Sequence, residues 1–201
     1  MSEGEPRNEQ TPEQQQSPVE QAARLKPQVW IASLSDYNAG HLHGAWQEAD
    51  REPDEIWAGI NEVLRTSKEP GAEEWAIFDY EGFGPLRLSE YETVERVSRL
   101  GLGIAEHGEA FAAFANFLGT EDEMLDQFED CFIGQWETSI EYVEDYLEDI
   151  GIEVMLDNAV PLSLREYVRV DAEGIVRDME IEGTLLSVPA SEGGVFLFHP
   201  P

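Results

Sequence analysis

Cysteine is almost missing from this chain. Cys131 is the only one among 201 residues, which rules out an internal disulfide, a four-cysteine zinc site and a CxxC redox pair. Basic residues are nearly as scarce: 12 Lys plus Arg stand against 43 Asp plus Glu, for a formal net charge of −31. Gripping nucleic acid through a basic surface needs clustered cations, so that class is excluded. No apolar run approaches the roughly 20 residues of a helical membrane span. The opening residues, MSEGEPRNEQTPEQQQSPVEQ, have no apolar core of the signal-peptide kind. The expectation is therefore a cytoplasmic protein that engages neither nucleic acid nor membrane. Catalytic signatures are missing as well: there is no G-x-S-x-G, no P-loop, no H-E-x-x-H and no D-x-D-x-D-G calcium loop. The expectation is no enzyme, no catalytic residue, no cofactor and no metal.

What is present is enough apolar surface for a core. Apolar residues make up 41% of the chain and aromatics 10%, five of them Trp, which argues against disorder along its whole length. Residues 1–26, rich in Gln, Glu, Pro and Ser, read as a disordered tail. Order is expected from Val29, where VWIASL forms a first strand, with HGAWQEA (43–49) and WAIFDY (75–80) as further strands. Pro53 suits the first turn of a helix carrying Ile56, Ile60, Val63 and Leu64 at helical spacing. From Ser89 the pattern turns helical. Ser89 with Glu92, Thr120 with Glu123, and Thr138 with Glu141 match the capping-box spacing, and Gly119 and Gly151 stand where helices should end. Beyond residue 160, PLSLREYV and DAEGIVRDME read as helices, and IEGTLLSV with VFLFH as a hairpin closed by PASEGG. The fold class is α+β, with three small units over 27–87 (α/β), 88–134 (helical) and 135–201 (α/β).

Candidate chemistry is thin. His41 and His43 lack a third ligand nearby. Gly101-Leu-Gly103 supplies two glycines of a dinucleotide fingerprint, but Glu106 replaces the third and no strand precedes it. Cys131 falls on an apolar helix face and reads as core.

The distribution of charge is more telling than its total. Residues 1–99 carry −11, residues 100–164 carry −16 and residues 165–201 carry −4. Between Arg99 and Arg165 there are sixteen acids and no base. Glu141, Glu144, Asp145, Glu148 and Asp149 recur at i, i+3, i+4, i+7, i+8 and share one helix face, with Ile140, Val143, Leu147 and Ile150 on another. Over 121–132 a second helix is expected, with Met124, Leu125, Phe128 and Phe132 inward and Asp122, Glu123, Asp126, Glu129 and Asp130 outward. Five carboxylates along the first of these faces amount to about one charge per 2.4 Å of helix axis. Duplex DNA carries roughly one per 1.7 Å, or 3.4 Å per strand. Like charges at i, i+4 cost a helix a few tenths of a kcal/mol per pair, and solubility needs only modest net charge. The bland reading is a solvated face; the functional ones are a basic partner, collected divalent cations or a halophilic proteome. Halophilic acidity should be spread evenly, and calcium needs a loop that is missing. A basic partner fits best.

Three segments carry a family resemblance: YNAGHLHGAWQEA (37–49), EEWAIFDYEGFG (73–84) and FEDCFIGQWETSIEYVEDYLEDIG (128–151). In order, spacing and acidity the chain resembles ArdA-type antirestriction proteins from about residue 28 to 199. The resemblance implies a protein mimic of duplex DNA, encoded largely on mobile genetic elements, that occupies the DNA-binding groove of type I restriction–modification enzymes. It also implies an elongated chain of three small domains that forms a homodimer. On that reading the ten carboxylates named above stand in for phosphates. The alternative is a generic acidic adaptor or chaperone for a basic protein, histone-like or ribosomal.

Overall fold

A computed structural model describes residues 25–201, so the expected tail, apart from its last two residues, lies outside the described residues. The chain opens with β1 (Gln28–Ser33), α1 (Leu34–Asn38), β2 (Gly44–Glu48), α2 (Pro53–Arg65) and β3 (Trp75–Glu81). β1 lies between β2 and β3 and pairs antiparallel with both. The 3.6-residue spacing in α2 buries Ile56, Ile60 and Val63 against this sheet, with Pro53 in the first turn, where a missing N–H costs nothing. Order begins earlier than Val29: Leu25 already packs against the core, and the Pro27 carbonyl accepts from Ala49 N at 2.8 Å.

Next come α3 (Val94–His107), α4 (Glu109–Leu118), α5 (Asp122–Leu125) and α6 (Phe128–Cys131). α4 reads EAFAAFANFL and buries every residue from Ala110 to Ala115, as expected of a helix that is apolar all round. The chain ends with β4 (Phe132–Trp136), α7 (Ser139–Asp149), α8 (Ile152–Ala159), α9 (Leu162–Arg165), α10 (Ala172–Glu182), β5 (Leu186–Pro189) and β6 (Val195–Phe198). The second sheet has the order β4-β6-β5, all antiparallel. The molecule is thus a mixed α/β architecture of helices and two small sheets. Phe114 and Phe128 pack against Phe198 in tilted and edge-to-face arrangements, 5.5 and 6.3 Å between ring centroids. Buried side chains from Val29 to Phe198 form one cluster through α4.

Several local expectations need correction. Ser89 does not cap a helix: residues 89–93 form a turn in which Ser89 Oγ accepts from Tyr91 N at 3.3 Å, and the Glu90 carbonyl accepts from Ile77 N beside β3. Thr93 is the cap of α3 instead, accepting from Arg96 N. Thr120 is diverted too, its hydroxyl accepting from Arg96 Nη1 at 2.6 Å, and Glu121 opens α5 without a side-chain cap bond. The expected helix over 121–132 is two single-turn helices, α5 and α6. Phe132 leaves the helix to pair with Phe198 in the second sheet. PLSLREYV is helical only from Leu162 to Arg165. IEG of the expected hairpin completes α10 and its Gly183 stop, leaving Leu186 to begin β5.

The two glycines of the discarded fingerprint serve packing. A Cβ on Gly101 would lie 2.1 Å from the Ala49 carbonyl oxygen, and one on Gly103 would lie 2.3 Å from the Phe111 ring. Both helix faces need the missing side chain to approach so closely.

Candidate functional site

The carboxylates of interest fall on two sets of elements on either side of β4. Asp122, Glu123 and Asp126 belong to α5 and its end, Glu129 and Asp130 to α6, and Glu141, Glu144, Asp145, Glu148 and Asp149 to α7. All are exposed except Glu141, which is partly covered.

α7 is one continuous amphipathic helix. Thr138 caps it, its hydroxyl accepting from Glu141 N at 3.1 Å, while the Glu141 carboxylate accepts from Glu137 N at 3.1 Å. This is a capping box displaced by one residue, the carboxylate taking the amide before the cap and not that of the cap itself. Glu141 therefore also has a structural task, and it lines a shallow depression with Glu137, Glu192 and Gly193. Glu144, Asp145, Glu148 and Asp149 have no cationic partner among the described residues. Val143 alone on the helix is fully buried, Ile140 and Leu147 are half-buried, and Ile150 is exposed.

The α5–α6 set is less uniformly acidic. Arg96 and Arg99 of α3 fold onto it, lining with Glu95, Asp122 and Asp126 a cleft of about 400 Å³. Arg99 pairs with Asp126. Counting along the sequence misses this compensation because both arginines precede the base-free stretch and reach it only through helix packing. At the other border Arg165 pairs with Glu153 and Asp157 of α8. Of the ten carboxylates, Asp126 alone has a cationic partner among the described residues, which leaves those of α7 with Asp122, Glu123, Glu129 and Asp130 uncompensated.

Metal-type donors meet at one place among the described residues: ligand atoms of Glu106, His107 and Glu129 lie within 4.8 Å of one another. His107 itself stacks on Phe111 and Phe128, 6.0 and 4.7 Å between ring centroids, as part of the aromatic core edge. His43 is likewise structural, its Nε2 lying 2.9 Å from the Val63 carbonyl at the end of α2. Cys131 is buried, and desolvation followed by the neighbouring Asp130 charge pushes its thiol pKa up, away from thiolate chemistry.

Sequence comparison supplies the deciding observation: the family model described as antirestriction protein (ArdA) matches residues 29–193. The chain belongs to the ArdA family. The match spans all the acidic helices of this ArdA-family chain, beginning in β1 and ending just before β6. No curated protein matches it.

Proposed function

We propose that this ArdA-family protein inhibits type I restriction–modification enzymes by occupying their DNA-binding groove, with surface carboxylates in the places of DNA phosphates. The observation that carries the reading is α7, where four exposed carboxylates without a cationic partner among the described residues sit on one face of a single capped helix. Asp122, Glu123, Asp126, Glu129, Asp130 and Glu141 extend the mimicry, Asp126 more weakly because Arg99 neutralises it. Phosphate contacts set affinity and register, whereas base edges carry sequence. A phosphate mimic is accordingly indifferent to the recognition sequence of the enzyme it blocks. The protein acts in the cytoplasm by occupancy and not by catalysis.

The same reading includes an elongated, three-part chain (27–87, 88–134, 135–201) that forms a homodimer. Support for the dimer lies in α8 and α9 and the turn that follows them, where Val154, Met155, Leu162, Leu164 and Tyr167 are exposed, Leu162 at 93%. Exposed apolar side chains gathered on adjoining helices favour a protein interface.

The test is restriction of unmodified phage DNA in cells with and without the protein. Protection against type I enzymes that recognise different sequences is expected. Unchanged restriction across several such enzymes would refute the reading, and indiscriminate binding of histone-like proteins without competition against DNA would favour an acidic adaptor.

A further inference from the structure

One face of the first sheet, covered where Ala32 and Ala76 are buried, lies open over the two rows beyond them, and the acidic helices do not explain it. α2 packs on one side through Ile56, Ile60 and Val63, toward which Val29, Ile31 and Ile77 also turn. Opposite residues of paired strands share a face, so the register assembles the other side in rows. Trp46, Trp30 and Asp79 form one row; Glu48, Gln28 and Glu81 form the next. The indoles of Trp30 and Trp46 meet edge to face, 5.7 Å between centroids and 70° between planes. That arrangement leaves indole surface uncovered, and Trp46 is 38% exposed. Glu48, Asp79 and Glu81 are exposed around them. Arg51 pairs with Glu48, and Gln28 Nε2 donates to Glu81 Oε2 at 3.1 Å; Asp79 and Glu81 have no cationic partner among the described residues.

We infer that this open sheet face, Trp30 and Trp46 beside Asp79 and Glu81, is a docking surface for arginine side chains of a protein partner. A guanidinium is planar, weakly hydrated and able to lie on an indole while its N–H fork engages a carboxylate. A lysine ammonium is a compact, strongly hydrated charge that gains from the carboxylates but less from the rings. Charge selects against the other occupants. Residues 1–24 hold five Glu and two Arg, a net −3, and a second copy would bring the same acidic rim against itself. The inference rests on the proposed function for the partner's identity and adds the side chain through which that partner is held.

The experiment titrates the full-length protein with deca-arginine and deca-lysine peptides at about 0.15 and 0.4 M NaCl, where surface charge is strongly screened. Binding is read by indole fluorescence and calorimetry. At the higher salt deca-arginine is expected to bind about fivefold or more tightly than deca-lysine and to perturb indole emission. Trp46→Ala brings that ratio near one with deca-lysine affinity held within about twofold, and Trp46→Phe restores part of it. Asp79→Asn with Glu81→Gln lowers the ratio in a chain whose aromatic packing is untouched, so the test survives if Trp46→Ala fails to fold. Neutralising α7 weakens both peptides alike and keeps the ratio. Equal affinity for the two peptides, or a ratio indifferent to both Trp46→Ala and the Asp79/Glu81 pair, overturns the inference. Restriction inhibition is scored in parallel. Its persistence with a ratio of one removes the arginine surface and leaves the proposed function, whereas its absence with the ratio intact does the reverse.

Discussion

At the level of single residues, Asp36 shows how a buried charge is retained. It is fully buried after β1. Burial raises its pKa, but hydrogen bonds from the Ser67 and Ser33 hydroxyls and the Lys68 amide (3.0 Å to Oδ1), with the nearby His43, outweigh that and bring it down to about 2. A carboxyl whose folded pKa lies below its unfolded value stabilises the fold fully above the unfolded value, and loses that contribution as pH falls through the folded one. Asp36→Asn is therefore expected to lower stability at neutral pH and to flatten the loss of stability between about pH 4 and pH 2. Thermal melts of both proteins across that window check it; parallel curves would contradict the assignment. Gly101 offers a steric counterpart. Gly101→Ala drives a methyl into the Ala49 carbonyl and is expected to cost about 1–3 kcal/mol by overpacking, read as a lower urea midpoint with unchanged slope. Neither role is legible in the sequence. There Gly101 reads as part of a weak nucleotide fingerprint, and Asp36 as one more acid, because both depend on neighbours dozens of residues away.

At the level of elements, the terms that are local in sequence are the legible ones. Period and turn chemistry locate β1, β2, β3, α2 and α7 to within a few residues, and find the final hairpin while giving the end of α10 to its first strand. Thr138 is legible as a cap because its bond partner is three residues on, and Thr138→Ala is expected to cost α7 about 1 kcal/mol, measured by denaturant unfolding. The same spacing misleads at Ser89 and Thr120. The first segment is held in a turn tied to β3 through Ile77 N, and the second hydroxyl is claimed by Arg96, 24 residues away. The helix expected over 121–132 fails for a related reason: β-pairing of Phe132 with Phe198 competes with helix continuation, and the partner strand is distant in sequence. The carboxylates of α7 are legible as a face, whereas the compensation of Asp126 by Arg99 is not. α8 and α9 bury no residue, although both carry apolar side chains. Leu162→Asp with Tyr167→Asp is expected to shift a dimer to monomer by light scattering with helix content unchanged, since neither side chain contributes to the monomer's core; an unchanged mass would place the interface elsewhere.

At the level of the whole molecule, −31 is an average over unequal parts. Arginines at both borders of the base-free stretch fold back onto it, Arg99 on Asp126 and Arg165 on Glu153 and Asp157. They trim the acidic surface at its margins and leave α7 uncompensated. If that surface stands in for phosphates, its affinity is electrostatic and shared, so one amide substitution changes little and several together change much. The most direct measurement is inhibition of a type I restriction enzyme by the wild type and by the combined variant Glu141→Gln, Glu144→Gln, Asp145→Asn, Glu148→Gln, Asp149→Asn, across a salt series. Each amide keeps the size of its acid, and the side-chain carbonyl left at position 141 can still accept from Glu137 N, so the fold is conserved while the charge is removed. Inhibition by the wild type is expected to fall steeply with salt, and that by the variant to be weaker throughout with a flatter salt dependence. Undiminished inhibition by the variant at moderate salt would contradict that expectation.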